Sequence, residues 1–260
     1  MNHWIRFRHE GKNKFGILEG DEISVYEGNM FEEPIRTTES VSIANIEYLT
    51  PCQPSKMIGL VNNFHAAAEK KSLPIPEEPL FFIKPPSCFL PHKGKIVQPK
   101  SLVGRVFYEG EIGVVIGKPC KDVAASEVEH CIFGYTCVND GTAFQMIDSD
   151  DSFAQWTKAK SFDTFGAFGP GITTDLDPNP LNITTTLNGR VRQDYPVSDM
   201  IFSPHELVMR ISRDMTLVPG DVITCGTSVG VLPMKPGSTI EIHIDGIGTL
   251  QNMYVADDQR

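Results

Sequence analysis

Two carboxylates stand two positions apart in Tyr108-Glu109-Gly110-Glu111-Ile112-Gly113-Val114-Val115-Ile116-Gly117. In a strand, residues i and i+2 point to the same side, so Glu109 and Glu111 share a face, and the apolar run behind them predicts that the strand enters a core. Like charges in one partly buried site repel and lose hydration, so they take up protons or are neutralised by a cation. A hard divalent ion, Mg²⁺ or Mn²⁺, suits oxygen ligands and keeps waters that a substrate can displace. The same spacing also fits the solvated face of an edge strand, because acidic side chains are mostly exposed.

Further candidates lie downstream and upstream. Asp140 in Val138-Asn139-Asp140-Gly141-Thr142 closes a buried-looking strand pattern, and Lys160 lies in Lys158-Ala159-Lys160-Ser161-Phe162-Asp163. Strand ends are where a rigid scaffold offers functional groups to loops. Three carboxylates, one divalent ion and one ammonium sum to zero charge, whereas three unpaired carboxylates in one cleft would not stay ionised. Taken singly, Asp140 also fits a turn residue capping its own backbone, and Lys160 a surface lysine. His65 and Glu69 stand four apart in the helical pattern from Phe64 to Lys71. They share a helix face, so Glu69 can orient the imidazole as a supported general base; an exposed face with an incidental pair is the alternative. Gly226-Thr227-Ser228-Val229-Gly230 matches the G-x-S-x-G of a hydrolase nucleophile elbow. The elbow requires a following helix, which Val231-Leu232-Pro233-Met234-Lys235-Pro236-Gly237 cannot start. P-loop, G-x-G-x-x-G and H-E-x-x-H patterns are absent from the sequence.

The elements that must position these groups are mostly strands. β-branched and aromatic runs occur at 3–8, 14–18, 22–26, 79–83, 105–117, 131–138, 183–195, 221–225 and 238–256. Asn188-Gly189 predicts a tight hairpin turn. Ser203-Pro204-His205-Glu206 predicts a capped helix ending near Arg213, and two further helices are expected at 64–71 and near 152–158. The proline-rich stretch from Ser72 to Pro99 is expected to wrap the surface. Pro51 and Pro54 punctuate the chain, which divides into a small N-terminal β-rich domain (1–50) and a larger domain (51–260). The 260 residues carry 23 Lys+Arg against 33 Asp+Glu, a net charge of −10, which excludes a nucleic-acid binder held mainly by phosphate contacts. At 40% hydrophobic and 22% charged, the composition is that of a globular protein. With no signal-like or membrane-length apolar stretch, a cytoplasmic protein is expected, its six scattered cysteines reduced and its Asn182-Ile183-Thr184 sequon unused.

Together, residues from about 56 to 256 resemble the fumarylacetoacetate hydrolase family, particularly its bacterial acylpyruvate hydrolase and homoprotocatechuate-pathway isomerase/decarboxylase branches. The resemblance rests on Glu109-Gly110-Glu111 with Val114-Val115-Ile116-Gly117, Gly134-Tyr135 through Asn139-Asp140, Lys160-Ser161-Phe162-Asp163 with Gly169-Pro170, Asn188-Gly189 with Arg192-Gln193, Asp199-Met200-Ile201-Phe202, Pro219-Gly220-Asp221-Val222-Ile223, Gly226-Thr227 and Gly246-Ile247-Gly248.

The resemblance implies an α+β, β-rich fold with a mixed β-roll catalytic domain, a homodimer, and Mg²⁺ or Mn²⁺ held by Glu109, Glu111 and Asp140. It further implies that Lys160 and Thr227 contact the substrate and that a mobile lid carries the His65/Glu69 pair. Three positions depart from the family pattern. Ala68 stands where the lid glutamate commonly lies, with Glu69 one place later; Phe144 replaces an arginine that commonly follows the Asn-Asp motif; and Ser228 replaces a proline. The function expected is metal-dependent hydrolysis of a C–C bond in a 2-oxo acid such as an acylpyruvate, through an enolate, with His65 activating water. Decarboxylation or tautomerisation of oxaloacetate-like or aromatic-catabolism acids, and a non-catalytic metal-containing binding protein, are the alternatives.

Overall fold

A computed structural model describes residues 1–102 and 104–257 of the chain. The alternating pattern of the first 50 residues becomes four strands, β1 (His3–His9), β2 (Lys12–Glu19), β3 (Glu22–Glu27) and β4 (Ile35–Ser42), in an antiparallel meander. A short β5 (Glu47–Tyr48) pairs with Phe7 and Arg8 of β1. Ile5, Phe7, Ile23, Val25 and Val41 form a small core of their own. This unit is nevertheless continuous with the rest, because His3 and Trp4 pair with Thr173 and Ile172 of a later strand.

The remaining strands are β6 (Met57–Val61), β7 (Leu80–Lys84), β8 (Phe89–Leu90), β9 (Lys95–Val97), β10 (Gly110–Ile116), β11 (Ile132–Asp140), β12 (Gly166–Thr173), β13 (Asn182–Leu187), β14 (Arg190–Pro196), β15 (Val222–Thr224), β16 (Thr239–Ile244) and β17 (Gly248–Val255). Among the described residues four α-helices join them: α1 (His65–Lys71), α2 (Val128–Cys131), α3 (Trp156–Lys160) and α4 (Pro204–Asp214). One sheet runs β4-β3-β2-β1-β12-β11-β10-β15-β6-β7, and a second, five-stranded sheet runs β14-β13-β16-β17-β9. All seven residues of β10 are buried, as its continuous apolar run requires of a strand covered on both sides. The second sheet comes so close that a Cβ on Gly110 would lie 1.9 Å from Thr185 Oγ1 of β13, so only glycine fits there.

The expected β-rich fold is present, and its local signals behave as chemistry dictates. Asn188 and Gly189 take φ of 52° and 71° between β13 and β14. Ser203 Oγ accepts from the Glu206 amide while the Glu206 carboxylate accepts from the Ser203 amide, and α4 runs on to Asp214. All six cysteines are free and buried.

Four expectations need correction. The strand expected at 105–117 spans only Gly110–Ile116, since Phe107 is drawn into bridges with Thr142 and Pro233 instead. The helix expected near 152–158 lies later, at Trp156–Lys160. The proline-rich stretch does more than wrap the surface: β7 sits between Pro79 and Pro85 at a sheet edge, where prolines flank pairing without interrupting it. Finally, β12 lies outside the expected strand runs, since three glycines and a proline interrupt Gly166-Ala167-Phe168-Gly169-Pro170-Gly171. It is central nonetheless, and Pro170 falls in the register shift against β11 between Tyr135 and Cys137, where no ladder hydrogen bond is required of it. No helix among the described residues is long and apolar enough to cross a membrane.

Candidate metal centre

Antiparallel pairing of β10 with β11 sets Gly110 opposite Asn139, which brings Glu109 beside Asp140. Asp140 N donates to Glu109 O at 3.0 Å, and Glu109 N donates to Asn139 Oδ1 at 3.2 Å. Glu111 follows on the same strand, and one oxygen from each of Glu109, Glu111 and Asp140 lies within 4.8 Å of the others. All three side chains are buried.

Each carboxylate is aimed by hydrogen bonds that occupy only part of its capacity. Glu111 Oε2 accepts from Gly226 N at 2.8 Å and from the Thr224 hydroxyl. Gly226 reaches it with a φ of +90°, a conformation that suits glycine. Asp140 Oδ1 accepts from Lys84 Nζ at 2.6 Å and Oδ2 from Lys160 Nζ at 2.5 Å; Lys160 also donates to Glu109 Oε2. Lys84 Nζ donates in addition to the Lys160 carbonyl. Lys160, the last residue of α3, lies 5.1 Å from the Phe82 ring centroid, and that ring stacks on Trp156.

Burial drives the electrostatics. Desolvation raises the Glu109 carboxyl against the pull of Lys160, and it pushes Glu111, which has Asp140 and Glu109 as neighbours, well above the usual carboxylate range. Desolvation lowers Lys160, but Asp140, Glu109 and Glu111 outweigh it and hold the ammonium above its ordinary value. The donor set fits a hard divalent ion: three oxygens, two of them on groups that resist ionisation alone, with Glu109 Oε1 and Glu111 Oε1 outside the hydrogen bonds just described. Octahedral Mg²⁺ or Mn²⁺ places oxygen ligands about 3 to 4 Å apart, a small side-chain adjustment from the spacing found.

Thr227 is half-buried. Its hydroxyl donates to Gly110 O at 3.0 Å and accepts from Gln193 Nε2 at 2.8 Å, while Gln193 Oε1 accepts from Gly110 N at 3.1 Å. Gln193 of β14 thus clamps the start of β10 to the Gly226-Thr227 loop. The loop leads into no helix, so the elbow geometry is absent.

The structure does not bring His65 and Glu69 to the triad. A helix turns by about 100° per residue, so Phe64, Ala67, Ala68 and Lys71 form one stripe and His65 and Glu69 lie nearly opposite Ala67. Ala67 and Ala68 are buried, whereas His65 and Glu69 are exposed and their side chains make no hydrogen bond or ion pair among the described residues. Asn63 anchors the start of α1, donating to Phe202 O and Cys225 O, and Asp199 Oδ2 accepts from Ala66 N. A cavity of about 420 Å³ between α1 and Glu109 is lined on the helix side by Ala67, Lys70 and Lys71.

Lys84 is the site residue that sequence reading missed. It is fully buried at the end of β7, and its only sequence signal is a lysine closing the apolar run Leu80-Phe81-Phe82-Ile83. Gln193 had appeared only as part of a motif, without a role.

Comparison with known proteins gives the family. Residues 56–255 match the model described as fumarylacetoacetate (FAA) hydrolase C-terminal, and residues 2–51 match Rv2993c-like, N-terminal. An uncharacterized protein of Archaeoglobus fulgidus is 40% identical over 98% of this chain and 97% of its own. Oxaloacetate tautomerase YisK of Bacillus subtilis is 33% identical over 91% of this chain and 84% of its own. Among solved structures, 2-hydroxyhepta-2,4-diene-1,7-dioate isomerase from Mycobacterium marinum superposes with a TM-score of 0.90 at 35% identity, covering 98% of this chain and 99% of that one. Maleylpyruvate hydrolase from Sphingobium sp. SYK-6, in complex with manganese(II) and pyruvate, superposes with a TM-score of 0.80 at 26% identity over 98% and 99%. With residues 56–255, well over half of its length, matched by that C-terminal model, this chain belongs to the fumarylacetoacetate hydrolase family.

Proposed function

We propose that the protein is a divalent-metal-dependent enzyme that acts on a 2-oxo acid through its enolate. The observation that carries this reading is the buried triad of Glu109, Glu111 and Asp140, whose oxygens lie within 4.8 Å of one another and are flanked by the ammonium groups of Lys84 and Lys160. A Mg²⁺ or Mn²⁺ ion held there would polarise the 2-oxo group and stabilise the enolate. Lys160 adds a fixed positive charge in a dry site, where it counts for more than in water. Lys84 holds Asp140 in place and keeps the α3 end attached through the Lys160 carbonyl. Thr227, locked by Gln193, fixes the loop that borders the substrate carboxylate. Oxaloacetate, maleylpyruvate and pyruvate, named for two of the relatives, are all 2-oxo acids. In the same reading the enzyme is a cytoplasmic homodimer.

Reactions of an enolate differ in what they ask of α1. C–C hydrolysis needs a base that activates water, whereas tautomerisation, isomerisation and decarboxylation need only proton transfer to or from the substrate. Ala67, Lys70 and Lys71 line the cavity and His65 and Glu69 do not. We therefore favour an isomerase, tautomerase or decarboxylase over the hydrolase expected from the sequence, with hydrolysis as the second reading on the strength of the maleylpyruvate hydrolase neighbour. The test follows the enol absorbance of oxaloacetate, fumarylpyruvate and acylpyruvates with and without Mg²⁺ or Mn²⁺. Metal-dependent loss of enol without a second acid product supports proton transfer. Release of two acids supports hydrolysis, and no metal-dependent change on any of them overturns the assignment.

A further inference from the structure

We propose that the cavity at the N-terminal end of β11 binds an aliphatic diamine, a cation with one ammonium group at each end of a short methylene chain. This cavity, of about 560 Å³, shares no lining residue with the one beside Glu109, so its ligand is not the substrate of the metal centre.

The first observation is Tyr135. It is 3% exposed and lines the cavity, yet its hydroxyl makes no hydrogen bond among the described residues. A tyrosine buried to that extent ordinarily finds a partner for its hydroxyl. Burial raises the phenol above its usual range, and Cys225, Asp177 and Glu129 raise it further, so the hydroxyl sits in the field of two cavity carboxylates.

The second observation is charge. Glu129 of α2 and Asp177 of the loop after β12 border the cavity, and neither makes a salt bridge among the described residues. Asp177 commits only Oδ1, which accepts from Asn179 N at 3.0 Å. Asp175 beside them is met by the amino terminus at 3.5 Å. No Lys or Arg lines the cavity, and the remaining polar group is His205, whose imidazole accepts when neutral. Two carboxylates therefore border one cavity without a counter-cation.

Shape decides between a metal ion and an organic cation. Among the described residues only Glu109, Glu111 and Asp140 bring three His, Cys, Asp or Glu ligand atoms within 4.8 Å of one another. The acceptors around Tyr135 do not gather about one point as a chelated ion requires, and dispersed acceptors suit a ligand whose charges are dispersed too. Ile132, Leu176 and Pro178 supply apolar lining for the methylenes between the two charges. A monoamine leaves one of the two carboxylates without a partner, whereas a diamine matches both and offers an N–H to the Tyr135 oxygen.

The test compares cadaverine with pentylamine, which share a five-carbon chain and differ in the second ammonium. Calorimetry uses the full chain with Mn²⁺ present, at pH 8 and at low salt, where exposed carboxylates are least screened. Wild type should bind cadaverine with a Kd at least about tenfold below that of pentylamine. Glu129→Gln/Asp177→Asn should erase that preference, and Tyr135→Phe, which removes only the unpartnered hydroxyl, should weaken cadaverine severalfold. Both variants should keep the wild-type midpoint in urea unfolding, which shows that they fold. Equal or absent binding of the two amines by wild type overturns the proposal. So does a preference that survives the carboxylate substitutions, or cadaverine binding unmoved by Tyr135→Phe.

Discussion

Lys84 and Asp140 lie far apart in the chain and meet at 2.6 Å in the interior, where Asp140 also takes the ammonium of Lys160 on its other oxygen. One carboxylate thus carries two buried cations. Lys84→Met keeps the volume and removes one of them. Losing a partner from a buried pair is expected to cost roughly 3 kcal/mol in the metal-free protein, read as a lowered midpoint in urea unfolding. The same change makes the centre more negative, so Mn²⁺ should bind roughly tenfold tighter while oxalate binds the loaded protein more weakly. Opposite shifts for the ion and the anion are the signature of a charge effect; parallel losses would mean that the site had collapsed.

How much of this was legible beforehand depends on which residues carried a local signal. Glu109 and Glu111 announce themselves by strand period alone. Asp140 and Lys160 do not, since their partners come from β10 and from each other; a strand-end position and the charge balance raised them as candidates, and the family resemblance gave them roles. The i,i+4 spacing of His65 and Glu69 says that they share a face but not which one. The answer lay in Phe64, Ala67 and Ala68, the apolar stripe that turns inward and carries the histidine away from the cavity. Lys84 and β12 were hidden by proline and glycine, whose usual meaning is overridden when a proline flanks an edge strand or falls in a register shift.

Glu111→Gln separates ligand from scaffold. The amide oxygen can still accept from Thr224 and Gly226, which leaves the amide NH₂ where a metal ligand is needed. Mn²⁺ affinity should fall on the order of 100-fold. The metal-free variant should melt at or above wild type at pH 8, because a desolvated carboxylate has been removed. Isothermal titration and a thermal scan check the two halves independently, and retained tight Mn²⁺ binding would falsify the ligand assignment.

Asp221 tests the scaffold without touching the centre. Fully buried, it accepts from Ser55 N and Oγ, Lys56 N and Nζ, and Val218 N, tying the approach to β6 to the start of β15. Asp221→Ala leaves those donors without a buried acceptor, although Lys56 is partly exposed and can turn to water. A loss of roughly 3 kcal/mol in unfolding free energy is expected, with the Mn²⁺ affinity of the remaining folded protein within about twofold of wild type.

Glu109 and Glu111 also give metal-free stability a pH dependence whose sign can be worked out. Both carboxyls titrate higher in the folded protein than in the unfolded chain, chiefly through burial. The folded state therefore binds more protons over that range, and the stability these groups contribute is full below about pH 4.5 and is lost as pH rises through their folded values. Lys160, held above its ordinary value, stays charged throughout and adds no slope near neutrality. Without metal, these two groups should make the melting temperature decline from pH 5.5 to pH 8. A divalent ion binds the ionised carboxylates and competes with protons, so saturating Mn²⁺ should raise the melting temperature more at pH 8 than at pH 5.5. Scanning calorimetry in chelator and in Mn²⁺ across that range measures both slopes. Glu109→Gln/Glu111→Gln should flatten the first and abolish the second, and an unchanged pH profile in that variant would assign the titration to other groups.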